Sequence, residues 1–133
     1  MARTCVVVPY SIPFPTVKST IEQILTKEGF KLKDYNGELV YKKGTGFATA
    51  MQYLKVDYTE SEIYIFGWIQ MGLGSIGGKE HDLTGMMAKL PKSNLQKRID
   101  LIAQTIRSMH WHRRSIDQYL YLICAIYLYL FKN

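Results

Sequence analysis

The stretch Phe30-Lys-Leu-Lys-Asp-Tyr-Asn-Gly-Glu-Leu-Val-Tyr-Lys-Lys43 places a two-residue turn signal between two strand-like runs. Asn36-Gly37 favours the type I′ turn of tight hairpins, because both residues tolerate a positive φ. The runs 30–35 and 38–43 that flank this turn are both strand-like, as a hairpin requires. The stretch therefore predicts a β-hairpin in the first third of the chain and makes a sheet part of the fold.

Three further segments read as strands. A turn at Gly44-Thr-Gly46 leads into a predicted strand over 47–58, and a second turn leads into one over 62–71. Both faces of the 62–71 strand carry large apolar residues, which predicts a central place in the sheet. The β-branched run Thr4 to Val8 predicts a strand that is buried on both faces.

A first helix is predicted over residues 15–28. Pro15 suits its first turn, Val17, Ile21, Ile24 and Leu25 follow at helical spacing, and Gly29 is a natural C-cap. These signals place the helix between the N-terminal strand and the hairpin.

The last helix is predicted to be long. Residues 79–92 are compatible with either a short strand or an irregular segment that ends at Pro91, after which Ser93 or Asn94 caps the helix. Its apolar residues recur at alternating spacings of four and three, a heptad seam. The seam runs through Leu95, Ile99, Ile102, Ile106, Met109, Arg113, Ile116, Leu120, Ile123, Tyr127 and Leu130.

Together these elements predict an α+β fold. An antiparallel meander of four to five strands is joined by the N-terminal strand, and two helices cover one face. We expect an α+β domain over residues 1–109 and an apolar C-terminal helical extension over 110–133.

The extension is the strongest clue to function. Every residue from Tyr119 to Phe131 is apolar or tyrosine, and such a helix must bury itself in a core, a partner or a bilayer. A membrane-spanning helix needs about 20 apolar residues, more than this run supplies. We therefore expect a homo-oligomer, with the membrane surface as the alternative. The predicted interaction residues are Leu95, Ile99, Ile102, Ile106, Met109, Leu120, Ile123 and Tyr127.

The chain is basic, with a net charge of +6 over 133 residues. Such charge suits anionic partners such as nucleic acid or phospholipid head groups, although spread lysines more often only solvate a surface. The candidate basic patch combines hairpin lysines with a cluster beside the extension, and we treat nucleic acid as the less favoured partner. The patch consists of Arg107, Arg113, Arg114, Lys42 and Lys43.

No motif predicts a catalytic centre, a cofactor or a metal site. Gly72-Leu-Gly-Ser-Ile-Gly77 matches a dinucleotide-binding pattern, but it follows an antiparallel meander and lacks the required βα context. His110 and His112 point to nearly opposite sides of a helix, which disfavours a shared metal ion.

The two cysteines lie far apart in apolar runs, and we interpret Cys5 and Cys124 as small buried residues of a reducing compartment. The apolar run after Met1 is too short for a signal peptide. We therefore expect a cytoplasmic protein, with membrane association as the alternative.

Three motifs together resemble a family of small uncharacterised bacterial proteins. They are Tyr35-Asn-Gly-Glu-Leu-Val-Tyr-Lys-Lys-Gly44, Gly67-Trp68-Ile69 and Asp82-Leu-Thr-Gly85, within about residues 28–90. In that family a similar domain stands beside a zinc ribbon or membrane segments. The resemblance implies a cytoplasmic accessory domain without assigned chemistry, and this chain lacks the paired CxxC motifs of the zinc-ribbon members.

The sequence thus supports three hypotheses. The first is a non-enzymatic interaction and oligomerisation module. The second is an anion or nucleic-acid binding domain that uses the hairpin lysines and the cluster from Arg107 to Arg114. The third is a small-ligand or enzymatic site over the loop from Gly72 to Gly78.

Overall fold

The computed structural model describes residues 3–44, 50–71, 79–84 and 89–131, without the side chains of Met71, Lys79 and residues 110–114. The start of the strand predicted over 47–58, most of the turn at 44–46 and the 72–78 loop lie outside these ranges. In chain order the elements are β1 Thr4–Pro9, α1 Phe14–Lys27, β2 Lys31–Tyr35, β3 Glu38–Lys43, β4 Met51–Tyr58, β5 Glu62–Met71, β6 Lys79–His81 and α2 Lys89–Leu130.

Within the described residues the strands form one antiparallel sheet in the order β1-β5-β4-β3-β2. Strand β6 pairs with the end of β5 beyond β1, so β1 and β6 together border one side of β5. The predicted α+β class, the meander and the central place of β5 are confirmed.

The hairpin turn has the backbone that its sequence predicts. Asn36 and Gly37 have φ values of 53° and 85°, the positive pair that a type I′ turn requires. The Gly37 N–H donates a hydrogen bond to Asp34 Oδ1 at 3.2 Å. The turn fixes the β2–β3 register and therefore decides which side chains share a face.

Helix α1 is confirmed, with bounds one residue earlier than predicted. Pro15 lies in its first turn, and Val17, Ile21 and Leu25 are buried on one side. After the helix, Gly29 adopts a φ of +86°, the left-handed conformation of a helix end.

The predicted start of the last helix was wrong. Helix α2 begins at Lys89, before Pro91, and not at a cap on Ser93 or Asn94. Pro91 occupies the first turn, where its missing N–H costs nothing because the first four N–H groups of a helix have no intrahelical acceptor.

Both helices pack on one face of the sheet, as predicted. Helix α2 contacts β5, β1 and α1. At the closest approach, an ideal Cβ on Gly67 of β5 would lie 2.7 Å from Ile99 Cδ1, so the glycine makes room for the helix. The core on this side includes the β5 residues Ile63, Ile65 and Ile69.

Strand β1 is not buried on both faces as expected. Val8 is fully buried under the helices, whereas Val7 is 43% exposed on the other side. The run of β-branched residues shows no alternation of apolar and polar side chains. Within the described residues, no helix lies over the second face of β1.

Candidate functional site

The side chains in the first half of the predicted interaction seam are buried in the core of this chain. Leu95, Ile99, Ile102 and Ile106 are each 0% exposed and belong to the core between α2 and the sheet. These four side chains, predicted to lie in an oligomer interface, are buried against the chain's own sheet and present no exposed surface to a second copy. Met109 packs partly against the same core.

The second half of the seam is exposed. Leu120, Ile123 and Tyr127 are 53%, 59% and 62% exposed. Around them, residues 116–131, hereafter the tail, present large apolar side chains in every direction. These are Ile116, Tyr119, Leu120, Tyr121, Leu122, Ile123, Ile126, Tyr127, Leu128, Tyr129, Leu130 and Phe131, all more than half exposed.

The tail falls short of a membrane crossing. Among the described residues, no helix combines the length and the apolarity that a bilayer span requires. Residues 115–130 extend roughly 24 Å at 1.5 Å per residue, against a hydrocarbon core of about 30 Å.

The predicted basic patch does not form one surface. Lys42 lies opposite Tyr53 on the sheet face away from the helices, whereas Lys43 points to the helix side and donates a hydrogen bond to the Glu28 carbonyl oxygen at 2.7 Å. Adjacent strand residues alternate between faces, so two neighbouring lysines cannot share one patch. Arg107 is exposed on α2, the opposite layer from Lys42. The side chains of Arg113 and Arg114 lie outside the described residues.

The sheet face without helices, hereafter the open face, carries an aromatic cluster. Trp68 of β5 and Tyr53 of β4 are 0% and 4% exposed and stack with ring centroids 5.4 Å apart. Tyr35 of β2 reaches both rings, with centroids 4.8 Å from Tyr53 and 5.7 Å from Trp68. Strands β2 and β5 are separated by two others, so this ring contact across the sheet indicates a concave face.

Arg3 covers this cluster. Its guanidinium carbon lies 3.8 Å from the centroid of the Trp68 ring. Nε and Nη2 donate to the two carboxylate oxygens of Glu80 at 3.3 and 3.1 Å, and Nη1 donates to Glu38 at 2.9 Å. The second oxygen of Glu38 accepts from Lys55 at 3.3 Å. We call the set Tyr35, Glu38, Tyr53, Trp68 and Glu80 the Arg3 cage.

The ionisation of the cage follows from these contacts. The hydrogen bond from Arg3, followed by that from Lys55, lowers the pKa of Glu38. Burial opposes the charge on Arg3, but its bonds to Glu80 and Glu38 outweigh that effect and raise its pKa. Burial, and then the Glu80 carboxylate, raises the pKa of Tyr35. The shifts of Arg3 and Glu38 both favour the charged forms, a guanidinium cation beside the Glu38 carboxylate.

A hollow of about 540 Å³ opens at the end of the sheet, beside the start of α1. Phe14 and Tyr58 meet edge to face there, and burial raises the pKa of Tyr58. The hollow holds one carboxylate, Glu60, and no imidazole or thiol among its lining residues.

The structure also places the other candidate reactive residues. Cys5 and Cys124 are exposed, so their interpretation as buried residues was wrong: Cys5 lies on the open face and Cys124 in the tail. Among the described residues no three His, Cys, Asp or Glu side chains cluster as metal ligands. The 72–78 loop and the side chains of His110 and His112 lie outside the described part of the chain.

Comparison with known proteins adds no functional indication. The chain matches no protein-family model, no curated protein and no solved structure.

Sequence reasoning missed the Arg3 cage because its members are dispersed. Arg3, Glu38 and Glu80 meet only through the sheet register, and no local spacing relates them. The one sequence signal for this cluster was Trp68, a large aromatic residue on the face of β5 that points away from the helices.

Proposed function

We propose that this chain is a non-enzymatic association module in which the tail joins copies of the protein. The observation that carries the proposal is the exposure of the tail: twelve large apolar side chains, between 51% and 82% exposed, follow one another on a single helix. Contiguous apolar surface of this kind marks an interaction site.

A second copy is the occupant that fits the tail best. Four tyrosines are spread along it, and between packed helices their rings can be buried while their hydroxyls reach water. A bilayer core would leave those hydroxyls without water. Asp117 is the only Asp, Glu, Lys or Arg between residues 116 and 131, so charge repulsion between copies of the tail would be small.

The heptad register points to a packing face. Leu120, Ile123 and Tyr127 continue the seam whose first half is already buried against the sheet. The first half is occupied within the chain, so association falls to the tail alone. Leu122 lies away from the seam, at a position that faces outward in a coiled coil.

Two matched variants of the full chain test this proposal. Leu120 and Leu122 have the same side chain and nearly equal exposure, 53% and 51%. Burying half a leucine stabilises by about 1 kcal/mol in each copy, so Leu120→Glu should weaken a dimer by about 2 kcal/mol, or about 30-fold in Kd, before the cost of the buried charge. Leu122→Glu should have a much smaller effect.

Light scattering in detergent-free buffer measures both effects. We expect a defined oligomer for the natural chain and for Leu122→Glu, and a shift to monomer for Leu120→Glu. A monomer for all three proteins would contradict the proposal. Aggregation that only detergent or liposomes relieve would also contradict it, and would assign the tail to a membrane surface.

A second candidate function, anion or nucleic-acid binding, is favoured by one observation. Lys31 and Lys42 are direct cross-strand neighbours, and Lys33 is on the same face. Like charges in that arrangement repel each other. Within the described ranges no carboxylate lies within 4 Å of these three lysines. An anion on the β2–β3 edge of the open face would relieve the repulsion.

Single-stranded oligonucleotides and heparin test this candidate. Lys31→Glu and Lys42→Glu should each weaken retention and flatten its salt dependence, whereas Lys43→Glu, on the opposite face, should not. Equal losses for all three variants would reduce the effect to net charge and contradict a specific site.

A further inference from the structure

The Arg3 backbone lies outside the strand pairing, although its side chain packs on the sheet. Arg3 precedes β1, whose first paired residue is Thr4 opposite Gly67. Its side chain is nevertheless only 11% exposed, because Trp68, Glu38 and Glu80 enclose it. Withdrawal of Arg3 would therefore empty the Arg3 cage without removing a residue from the strand register.

The cage matches the chemistry of a guanidinium group. One face of the planar cation lies on the Trp68 ring, one edge bonds both oxygens of Glu80, and another N–H bonds Glu38. An ammonium group is not planar, so it cannot stack on an aromatic ring. It also cannot donate two parallel hydrogen bonds to one carboxylate as a guanidinium group does. The site therefore discriminates arginine from lysine by shape as well as charge.

Without Arg3, the cage would carry unbalanced negative charge. Glu38 would keep Lys55, which also pairs with Asp57, whereas Glu80 would keep no cation within 4 Å among the described side chains. A second cation would be attracted to the space over Trp68. We propose that the Arg3 cage is a binding site for an arginine side chain of another polypeptide, which competes with Arg3 for the same seat.

One more group favours a polypeptide over a small guanidinium compound. Trp68 Nε1 is buried and has no acceptor at hydrogen-bond geometry among the described residues. It lies near the Tyr35 hydroxyl: burial raises the pKa of Tyr35, and the Trp68 N–H opposes part of that rise. A peptide brings carbonyl oxygens beside its arginine, and these could accept from this N–H. The proposal does not depend on the tail, since the cage lies on the open face.

Arg3→Ala in the full chain tests the site. Ethylguanidinium replaces the missing group, ethylammonium is the shape control, and Arg98→Ala is the matched control because Arg98 pairs with Glu28 away from the aromatic cluster. With millimolar affinity, ethylguanidinium at about ten times its Kd should raise the melting temperature of Arg3→Ala by about 5 °C, and the rise should continue with the logarithm of its concentration. In the natural chain and in Arg98→Ala, Arg3 competes for the cage, so the same ethylguanidinium concentration should give a much smaller rise.

Tryptophan emission gives an independent readout in a Trp111→Phe background, where Trp68 is the only indole. Arg3→Ala should shift the emission to longer wavelength, and ethylguanidinium should reverse the shift. If Arg3→Ala is unfolded at 25 °C, refolding that is induced by ethylguanidinium but not by ethylammonium would equally support the site. The titration is then repeated with Arg3→Gln, a more conservative substitution.

Peptides test whether the ligand of the Arg3 cage is a polypeptide. A blocked Gly-Arg-Gly peptide should bind Arg3→Ala more tightly than free L-arginine, whose carboxylate is repelled by the cage and which lacks flanking peptide carbonyls. Equal responses of Arg3→Ala and Arg98→Ala to ethylguanidinium would overturn the site. Tighter binding of free L-arginine than of the peptide would overturn the assignment to a polypeptide.

Discussion

The contact between Gly67 of β5 and Ile99 of α2 allows a quantitative test of how the last helix is docked. Ile99 is 0% exposed, and its Cδ1 occupies space that a Cβ on Gly67 would fill. Ile99→Ala removes three carbons, worth about 2.4 kcal/mol of transfer free energy at about 0.8 kcal/mol each. With the cavity that remains, we expect a loss of about 3–4 kcal/mol in the free energy of unfolding.

Gly67→Ala should behave differently in the two backgrounds. In the natural chain the new methyl group would lie 2.7 Å from Ile99 Cδ1, and displacing that atom should cost about 1–2 kcal/mol. In Ile99→Ala that obstacle is gone, and the next neighbours, Leu83 Cδ1 at 3.4 Å and Leu54 Cδ2 at 3.6 Å, are further away. There Gly67→Ala should stabilise by about 0.5–1 kcal/mol, because it lowers the entropy of the unfolded chain.

Urea unfolding of the natural chain, both single variants and the double variant, at one protein concentration, measures this cycle. The account predicts a favourable coupling of about 2 kcal/mol between the two substitutions. Additivity within about 0.5 kcal/mol would refute the packing of α2 on β5 at this point.

Three further predictions concern individual contacts. Lys43→Met should lower the free energy of unfolding by about 1 kcal/mol, because it removes the hydrogen bond to the carbonyl after α1, whereas Lys42→Met should change it little in urea unfolding. Arg3 lowers the pKa of Glu38 below its usual 4.5, so the folded state loses stability as the pH falls through that lowered pKa, and Glu38→Gln should flatten the acid limb of a stability profile between neutral pH and acid unfolding. Gly37→Ala should cost about 1 kcal/mol in thermal melts, because its φ of +85° is strained for an L side chain.

Local signals predicted most of the fold. Three signals each depend on only a few neighbouring residues, and the elements they predict are confirmed. They are the Asn36-Gly37 turn, the large apolar residues on both faces of β5, and the helical spacing of Val17, Ile21 and Leu25. The start of α2 was misplaced because Pro91 is compatible both with the end of a segment and with the first turn of a helix.

The interaction surfaces were harder to predict because they depend on tertiary contacts. A heptad pattern looks the same whether it packs on a second helix or on a sheet, so the sequence could not separate Ile99 from Ile123. Likewise, the cage around Arg3 is brought together by strand pairing between distant segments.

A distance between copies tests the central claim most directly. Cys124 is exposed and lies at the middle of the tail, so parallel and antiparallel pairing of tails would both bring two copies of it together. With Cys5 replaced by serine, a spin label on Cys124 can be measured by pulsed electron paramagnetic resonance. Helices packed 8–10 Å apart predict label distances below about 30 Å, allowing for the label arms. The account predicts such a distance in detergent-free buffer, and its loss in Leu120→Glu but not in Leu122→Glu. No dipolar signal from the singly labelled natural tail would contradict self-association through it.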